Sequence, residues 1–550
     1  MKKVLGIDTG GTFTDAVLWD PQAAAVLDKA KAPTTHDDLK IGIGASIDGL
    51  ELADPAVIDR VVLSTTLATN AIVEGQGRPT GLILIGGKPK GDVPAAAVEH
   101  ITGKINIKGR EVMSLVPEEV TAAVASLAPR VEAMAVSGMM SVRNSAQELA
   151  VKAAVRAVSD MPVVCGHELS TKLGYTDRTV TAVLNASLIP IIAGFVTAVT
   201  RTLADKAIAA PVFIVKGDGS LASLDFIREK PIETILSGPA ASILGALALA
   251  GTADGIVVDM GGTTTDTGVV QNNTLTLSPV GAKVGSWQTQ VDSAKLATYG
   301  LGGDTAITPG MCGPKLTTHR VLPACRGGAG NLTPTDLLCA RGQLDRWDAA
   351  PVQAALQRQA EACGMDALAY AKRAEALVLS TIADPILSVY EKDVPPEMPV
   401  VATGAPAGTW YAALADAGKT DRRVMVPEHY EVANAVGAAT AAVAERVDAL
   451  VRPDEANDGF AAYIDGDSAY FKVKTDAVAY AEAKALDRVR AKAERQGSAE
   501  ITAQVHSEEI TRKVGWRMVY VETRVKAVAR AGHLKLAEEA QAPAFVKNFD

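Results

Sequence analysis

One eight-residue pattern occurs twice in the sequence. DTGGTFTD occupies residues 8–15 and DMGGTTTD occupies residues 259–266, with identical residues at six of the eight positions. Each copy follows an apolar run rich in branched residues and precedes a second strand-like run, so each predicts a β-hairpin with adjacent glycines at its tip. Because the acid, the glycines and the threonine keep the same offsets, the pattern predicts two related halves within one chain.

The residue types at each tip are suited to binding phosphate. Adjacent glycines let backbone N–H groups approach an anion without interference from a Cβ atom, and the threonines add hydroxyl donors. The predicted nucleotide-binding residues are Thr9, Gly10, Gly11 and Thr12 in the first copy and Gly261, Gly262, Thr263 and Thr264 in the second. A carboxylate does not pair with phosphate directly, so we expect Asp8 and Asp259 to bind Mg²⁺ through water and to be catalytic. A single hairpin of this kind is also typical of a structural turn, but two matching copies favour one shared nucleotide.

Composition restricts the class of protein. At 550 residues the chain is too long for a single core, and 48% hydrophobic with 21% charged residues is typical of a globular protein. The net charge of −9 argues against a surface that binds nucleic acid or an anionic membrane. Five cysteines without a CxxC pair predict reduced thiols, no structural metal and a cytoplasmic location. The most membrane-like stretch, 181–200, contains Asn185 and Pro190, and we expect a buried helix there.

A duplicated strand–hairpin–strand unit that holds a nucleotide phosphate resembles the superfamily of actin, sugar kinases and heat-shock-chaperone ATPases. The resemblance implies an α/β fold in which duplicated actin-like (ribonuclease-H-like) ATPase lobes surround a nucleotide cleft. It also implies a later loop for adenosine, which fits a strand at 399–403 followed by Gly404 and Ala405. A strand at 422–427 and a helix at 434–447 complete the expected order.

Three further runs connect these elements: STTLATNAIVEGQG (64–77), GYTDRTVTAVLNASLIP (174–190) and ETILSGPAASILGA (233–246). Together with the first hairpin they resemble the hydantoinase A/5-oxoprolinase family, which includes acetone-carboxylase-type subunits, over about residues 1–450. The resemblance implies that ATP and Mg²⁺ serve to phosphorylate a carbonyl oxygen of a cyclic amide, such as a hydantoin or 5-oxoproline, or of a ketone. It implies a hydrolase that acts as the hydantoinase-A-type subunit, in a homodimer or in a hetero-oligomer with a hydantoinase-B-like subunit.

Two polar sites next to helices have both a functional and a structural interpretation. Asp177 and Arg178 begin the predicted inter-lobe helix, where they are candidate catalytic residues facing the cleft. The alternative for this pair is a helix-terminal charge with a surface salt bridge. Ser237, Gly238 and Pro239 begin another predicted helix, whose N-terminus is a natural anion site. The alternative here is a tight turn with proline in the first helical turn.

Two departures from the family pattern leave the substrate and the activity class open. Ser64 occupies the place where family members usually have a histidine. The loop YGLGGDTAI (299–307) resembles that of chaperone-type and reactivase-type relatives, so Gly302, Gly303 and Asp304 are further candidate nucleotide contacts. The alternatives to a cyclic-amide hydrolase are therefore an ATP-driven activator of a partner enzyme and an acetate- or sugar-type kinase.

The chain divides into three predicted domains. These are lobe I at 1–175, lobe II at 176–450 and a small α+β C-terminal domain at 451–550 that starts with a polar linker at 451–459. In the C-terminal domain we expect a strand at FAAYI, an amphipathic helix at 475–497 and strands near 499–508 and 517–530. The helix is interpreted as a surface helix over a small sheet, with a partner-binding face as the alternative. Residues 533–550 predict a loosely ordered tail or a docking segment.

Overall fold

The computed structural model describes residues 2–35, 39–107, 109–344, 347–383, 394–454, 458–464, 467–496, 501–514 and 517–531. The chain forms two compact units, the first ending at Ala441 and the second beginning at Ala442. The second unit therefore begins before residue 451, where the sequence places the start of the C-terminal domain. The predicted tail at 533–550 lies outside the described residues.

The first unit alternates strands and helices along the chain. Its strands are β1 (Lys3–Thr9), β2 (Phe13–Asp20), β3 (Ala25–Pro33), β4 (Ile58–Thr65), β5 (Thr80–Ile85), β6 (Ala97–Ile101), β7 (Lys104–Ile105), β8 (Glu111–Met113), β9 (Ala133–Gly138), β10 (Val163–Cys165), β11 (Val212–Val215), β12 (Leu221–Ser223), β13 (Gly255–Met260), β14 (Thr265–Gln271), β15 (Thr274–Leu275), β16 (Lys283–Val284), β17 (Trp287–Gln288), β18 (Leu296–Tyr299), β19 (Thr305–Gly310), β20 (Gly313–Arg320), β21 (Val400–Thr403) and β22 (Val424–Met425). Its helices are α1 (Leu39–Asp48), α2 (Leu67–Val73), α3 (Pro117–Leu127), α4 (Ala146–Arg156), α5 (Gly166–Leu169), α6 (Tyr175–Asp205), α7 (Leu224–Glu229), α8 (Ser237–Ala250), α9 (Pro334–Ala340), α10 (Ala350–Ala362), α11 (Ala367–Ile382), α12 (Ala407–Asp416) and α13 (Ala433–Thr440).

Two sheets of the first unit repeat one arrangement. The first has the order β12-β11-β4-β1-β2-β3, in which β1, β2 and β3 are antiparallel and β4 and β11 run parallel to β1. The second has the order β15-β14-β13-β21-β22, in which β13, β14 and β15 are antiparallel and β21 and β22 run parallel to β13. The repeated order places the hairpins β1–β2 and β13–β14 in two related α/β halves, as the sequence predicts.

The chain leaves the first half between β4 and β11 to build a separate sheet. This inserted sheet has the order β10-β9-β5-β6, and its neighbouring strands are parallel. The chain then returns to the first sheet, where β11 pairs with β4 and β12 pairs with β11. The first half therefore continues beyond the predicted boundary at 175/176. Motif order does not reveal a strand that returns to an earlier sheet.

The long helix α6 covers the predicted buried helix at 181–200. By length and composition alone it is apolar enough to cross a membrane, with a mean hydropathy of 2.0 in its most apolar window. In the structure 61% of that window is buried. Ile192 and Phe195 belong to the same buried cluster as Leu5 and Ile7 of β1, so the helix forms part of the core of the first half.

Helices α8 and α13 cross at a contact that requires glycine. A Cβ atom on Gly245 would lie 1.9 Å from the carbonyl oxygen of Ala433, and one on Gly437 would lie 1.7 Å from that of Ala241. Any side chain at either position would have to push the two helices apart. The two helix backbones therefore touch directly.

The second unit is an antiparallel sheet covered by one helix. Its elements are β23 (Val443–Asp454), β24 (Gly459–Ile464), β25 (Asp467–Phe471), α14 (Lys474–Arg495), β26 (Thr502–Val514) and β27 (Arg517–Ala531), and the strand order is β25-β24-β23-β27-β26. Every fourth residue of α14 from Ala477 to Ala493 is buried, so one face of the helix packs on the sheet. This is the predicted arrangement of a helix over a small sheet.

Strand β23 corrects two predictions. The predicted helix at 434–447 ends at Thr440, and β23 occupies the predicted linker at 451–459 as far as Asp454. From Val447 to Val451 buried residues alternate with more exposed ones, which is the period of a strand. The alanine-rich composition of the preceding residues favours a helix and concealed this change of period.

Candidate functional site

The two glycine hairpins are closed by the same type of backbone hydrogen bond. The Gly10 N–H donates to the carbonyl of Phe13 at 3.1 Å, and the Gly261 N–H donates to the carbonyl of Thr264 at 2.9 Å. The acids at the hairpin bases also occupy matching register positions, with Asp8 opposite Asp15 and Asp259 opposite Asp266. The sequence repeat is therefore a repeat of local structure.

The hairpin tips are exposed and the acids lie beneath them. The exposed tip residues are Gly11 and Thr12 in the first hairpin and Gly262 and Thr263 in the second. Asp8 is only 5% exposed, and Asp259 is partly buried. An anion can therefore reach both tips from solvent, with a carboxylate below each one.

Asp8 lies among buried polar groups whose hydrogen bonds are incomplete. Its Oδ2 accepts a hydrogen bond from Asn434 Nδ2 at 3.3 Å. Three buried oxygens have no hydrogen-bond partner among the described residues, namely Asp8 Oδ1, Thr9 Oγ1 and Ser64 Oγ. Burial, followed by the Asp15 carboxylate, raises the pKa of Asp8 to about 7, while the nearby Ser64 and Asn434 oppose the shift. Unsatisfied oxygens around a carboxylate are suited to a hydrated cation.

Asp259 has a matching environment in the second half. Burial raises its pKa to about 6, the Ser242 hydroxyl opposes this shift, and the Asp266 carboxylate adds to it. Ser242 belongs to α8, which ends the first half, whereas Asn434 belongs to α13, which ends the second. Each acid thus lies next to the helix that ends the opposite half.

The predicted adenosine loop lies directly against the second acid. Strand β21 places Thr403 opposite Asp259, and Gly404 follows with a φ of 85°. A Cβ atom on Gly404 would lie 2.6 Å from Asp259 Oδ1 and 2.3 Å from the carbonyl oxygen of Met260, so this position requires glycine. Ala405 is exposed, and its methyl group has room.

The loop at 302–304 supports the second hairpin from behind. The Gly303 N–H donates to the Gly261 carbonyl at 2.9 Å, and the Asp304 N–H donates to the Gly262 carbonyl at 2.6 Å. These two N–H groups are therefore engaged by the hairpin. A direct contact between this loop and a nucleotide stays a prediction.

Asp177 and Arg178 lie beside the inserted sheet. Arg178 is fully buried, and its Nη2 donates to the carbonyl oxygens of Gly138 and Met139 at 2.9 and 3.0 Å. Asp177 lies in the first turn of α6, where a negative charge favours the helix terminus. Arg178 thus holds the carboxyl end of β9, and a catalytic role for this pair stays a prediction.

Ser237 is the first residue of α8 and lies against Thr65, the last residue of β4. Its buried hydroxyl donates to the carbonyl of Thr65 at 3.0 Å, and a Cβ atom on Gly238 would lie 3.5 Å from the Thr66 methyl group. These contacts support the interpretation of a tight structural turn at this helix terminus.

The structure also contains a pair, the buried Glu148 and the partly buried His167, that sequence spacing does not reveal. Glu148 of α4 accepts a hydrogen bond from the Gly138 N–H at 2.7 Å, and its Oε2 lies 2.5 Å from His167 Nδ1. Cys165 completes a group of three possible metal ligands within 4.8 Å. Two ligand atoms on one zinc ion lie roughly 3.3 Å apart for bonds of about 2 Å, so the 2.5 Å separation is that of a hydrogen bond.

Two sequence models of one family match most of the chain. The model described as hydantoinase/oxoprolinase matches residues 178–447, and the model of the hydantoinase/oxoprolinase N-terminal region matches residues 4–159. Both hairpins and the predicted adenosine loop lie within these ranges. The matches confirm the family resemblance that the motifs indicate.

Two curated relatives are similar over part of their length. The alpha subunit of a caprolactamase from Pseudomonas jessenii is 31% identical over 387 residues, which is 62% of this chain and 54% of the relative. The gamma subunit of an acetophenone carboxylase from Aromatoleum aromaticum is 27% identical over 361 residues, which is 57% of this chain and 48% of the relative. The chain thus spans about half the length of these relatives.

Two solved structures share the fold. An ATP-dependent caprolactamase from Pseudomonas jessenii has a TM-score of 0.75 at 22% identity, over 96% of this chain and 87% of that one. A nucleotide-free acetone carboxylase has a TM-score of 0.72 at 18% identity, over 97% of this chain and 88% of that one. These likenesses confirm the predicted fold of duplicated actin-like lobes.

Proposed function

Because the chain belongs to the hydantoinase/oxoprolinase family, we propose that it uses ATP to activate and hydrolyse a cyclic amide, as the hydantoinase-A-type subunit. The observation that carries this proposal is the pair of identically closed hairpins with an acid at each base. Two such tips can hold one nucleoside triphosphate from two sides. A ketone substrate, as in an acetone-carboxylase-type subunit, is the alternative within the same chemistry.

The residues of the two tips are suited to the phosphates of ATP. N–H groups and hydroxyls of 10–12 and 261–263 would bind the β- and γ-phosphates. Asp8 and Asp259, with unsatisfied hydroxyls beside them, fit a hydrated Mg²⁺ ion. The ion would supply neutralisation of charge on the phosphoryl oxygens. The turn at Gly404 would receive the adenosine.

The chemistry explains why ATP is needed. Resonance makes the carbonyl carbon of an amide a poor electrophile. Phosphorylation of the carbonyl oxygen makes this carbon more electrophilic. The new O–P bond forms as the bond to the β-phosphate oxygen breaks and ADP leaves. Water then adds to the carbon, the C–N bond breaks as nitrogen takes a proton, and a second water releases phosphate from the acyl phosphate. The chain contributes positioning and charge stabilisation in the first of these steps.

We also propose that a hydantoinase-B-like subunit takes part in ring opening. The two curated relatives are each named as a subunit of a larger enzyme. Phosphoryl transfer requires that water be excluded, whereas ring opening requires that water be supplied. Two subunits can provide these two environments separately.

ATP turnover by the full chain, alone and with a candidate partner subunit, tests the proposal. The substrates are hydantoins, 5-oxoproline and small ketones, and the ketones are supplied together with bicarbonate as the source of the carboxyl group. We expect one class to increase ADP release, with a ring-opened or carboxylated product in proportion. No stimulation by any member would contradict the hydrolase and favour an activator of a partner enzyme. A stable phosphorylated product would favour a kinase.

A further inference from the structure

We propose that the cyclic amide binds in a cleft beside α2 and that this cleft selects amides that carry a carboxylate. This proposal rests on the proposed function and assigns its substrate site. The α2 cleft is lined by Leu67, Asn70, Glu74, Gln76, Arg78 and Ile191, among others. Its volume of about 290 Å³ is close to the lower limit of small-molecule sites.

The α2 cleft opens next to the first phosphate-binding tip. A Cβ atom on Gly11 would lie 3.8 Å from Asn70 Nδ2, so the Asn70 side chain stands between the tip and the cleft. The Thr66 N–H donates to the carbonyl of Thr9 at 3.3 Å, which fixes the start of α2 against the hairpin. A ligand in the cleft therefore lies beside the position expected for the γ-phosphate.

The walls of the cleft come from two helices and the loop between α2 and β5. Asn70 lies on α2, and Glu74, which caps the helix, follows it by one turn on the same face because its N–H donates to the Asn70 carbonyl at 2.8 Å. The Arg78 N–H donates to the carbonyl of Ser187 on α6 at 3.1 Å, which holds the loop against that helix. Ile191, one turn further along α6, adds an apolar wall. The backbone of the cleft is thus fixed by elements of the core.

The free polar groups of the cleft define the ligand that it can recognise. Asn70 Nδ2 donates to Thr66 Oγ1 at 3.2 Å, which leaves Oδ1 to accept an amide N–H. Glu74 and Gln76 have exposed side chains without hydrogen bonds or ion pairs to the described part of the chain. These groups match the N–H and C=O groups of a cyclic amide, and Leu67 and Ile191 match its ring carbons.

Arg78 supplies the preference for a carboxylate. Its only ion pair within the described ranges is a separation of 3.8 Å from Glu132, and both side chains are 53% exposed. Such an open pair contributes little stability, so the guanidinium can turn to a ligand at small cost. A guanidinium binds a carboxylate with two parallel hydrogen bonds, which a neutral lactam cannot accept in the same way.

Calorimetric titration of the full chain, with Mg²⁺ and a non-hydrolysable ATP analogue present, tests the assignment. The ligands are 5-oxoproline, which carries a carboxylate, and caprolactam, which does not. We expect Arg78→Gln to weaken the binding of 5-oxoproline by about 10- to 100-fold, as for a lost hydrogen bond between charged groups, and to leave caprolactam unchanged. Asn70→Ala should weaken both ligands. Arg228→Gln, which removes the same charge from an exposed residue of α7, is the matched control and should change neither.

Two results would overturn the assignment in different ways. If both amides bind the wild type and Arg78→Gln and Asn70→Ala bind them equally well, the substrate lies elsewhere and the proposed function survives. If the nucleotide analogue binds but neither amide does, both the cleft assignment and the cyclic-amide function fail. Tighter binding of caprolactam than of 5-oxoproline by the wild type would refute the carboxylate preference.

Discussion

The two glycine hairpins differ in what surrounds them. The first tip adjoins α2 and the open α2 cleft, with a distance of 3.8 Å from a Cβ position on Gly11 to Asn70. The second tip is closed from behind by the 302–304 loop and lies next to the turn at Gly404. The two tips are alike in backbone structure, but their surroundings differ. In the proposed function, the first half would face the substrate and the second half would face the nucleoside.

The acids at the two bases are more alike than the tips. Ser64 lies opposite Asp8 in the same register that Thr403 has opposite Asp259. Each carboxylate also adjoins a side chain from the helix that ends the opposite half, and these helices cross in direct backbone contact. A relative movement of the halves would therefore change the environment of both acids together.

The largest expected effect comes from removing either acid. Asp8→Ala and Asp259→Ala each delete a carboxylate that we propose holds the hydrated ion, and each should cost about 2–4 kcal/mol of transition-state stabilisation. This corresponds to a roughly 30- to 1,000-fold fall in ATP turnover. Because both acids act on one ion, the double mutant should fall far short of the product of the single losses.

Steady-state ATP hydrolysis by the two single mutants and the double mutant tests whether the two acids contribute equally to turnover. Circular dichroism checks that the variants are folded. Asp225→Ala, at an exposed acid of α7, is the control and should keep normal turnover. Near-normal turnover in either single mutant, or losses that multiply as independent sites would, would contradict a shared ion.

The second-largest expected effect is the loss of stability caused by a side chain at Gly404, a position that belongs to the second half alone. Gly404→Ala combines a positive φ with a Cβ atom 2.3 Å from the Met260 carbonyl oxygen. Gly418 also has a positive φ, of 62°, but a Cβ atom there meets nothing within 4 Å. Backbone strain costs about 1–2 kcal/mol at both positions, and the overlap at Gly404 adds about 1–3 kcal/mol.

Thermal unfolding and nucleotide titration of these two variants separate strain from overlap. Gly404→Ala should unfold at a lower temperature than Gly418→Ala and should bind the ATP analogue more weakly. Equal nucleotide affinity in the two variants would mean that the turn at Gly404 does not receive the adenosine.

The sequence predicted those parts of the site that depend on local backbone requirements. Gly10 and Gly404 lie where a Cβ atom would come within 3.1 and 2.3 Å of a neighbouring carbonyl oxygen, so a local requirement for glycine is visible in the sequence. The strands on either side are short apolar runs that show the same period in any context. These features were sufficient to predict the fold and the positions of the two hairpin tips.

Contacts between distant segments left no such pattern. Asn434 and Asp8 are 426 residues apart, and only the crossing of α8 and α13 brings them together. Arg178 follows an acid at a helix start, and nothing in the sequence shows that its side chain is buried and donates to the carbonyl of Gly138 at the end of β9. The return of β11 to the first sheet likewise depends on tertiary pairing.

The raised pKa values predict a pH effect that differs between the halves. The pKa of Asp8 is about 7 and that of Asp259 about 6, so the cation must displace a proton from Asp8 below pH 7 and from both acids below pH 6. The affinity for the Mg²⁺ complex of the ATP analogue should begin to fall near pH 7, should approach a roughly tenfold fall per pH unit towards pH 6, and should fall more steeply below 6.

The same shifts affect the nucleotide-free protein in the opposite direction. Between its ordinary value of 3.8 and about 7, Asp8 holds a proton in the folded state that the unfolded chain has released. Its contribution to stability therefore falls as pH rises through this window.

The prediction for nucleotide binding is checked by calorimetry in two buffers of different ionisation enthalpy, which counts the protons released when the Mg²⁺ complex of the ATP analogue binds. A count of zero at pH 6 would contradict the raised pKa of Asp8.

The smallest expected effect compares the packing of the two tips. A Cβ atom on Gly262 would lie 3.1 Å from Asp304 Oδ2, so the supporting loop must move slightly, whereas the 3.8 Å contact at Gly11 is an ordinary one. Gly262→Ala should therefore cost about 0.5–1 kcal/mol and Gly11→Ala less than about 0.5 kcal/mol. Gly300→Ala, where a Cβ atom meets nothing within 4 Å, gives the baseline. Differential scanning calorimetry without nucleotide should show the lowest melting temperature for Gly262→Ala. The reverse order would show that the first tip is the more tightly supported one, and the assignment of an open substrate side to the first half would then fail.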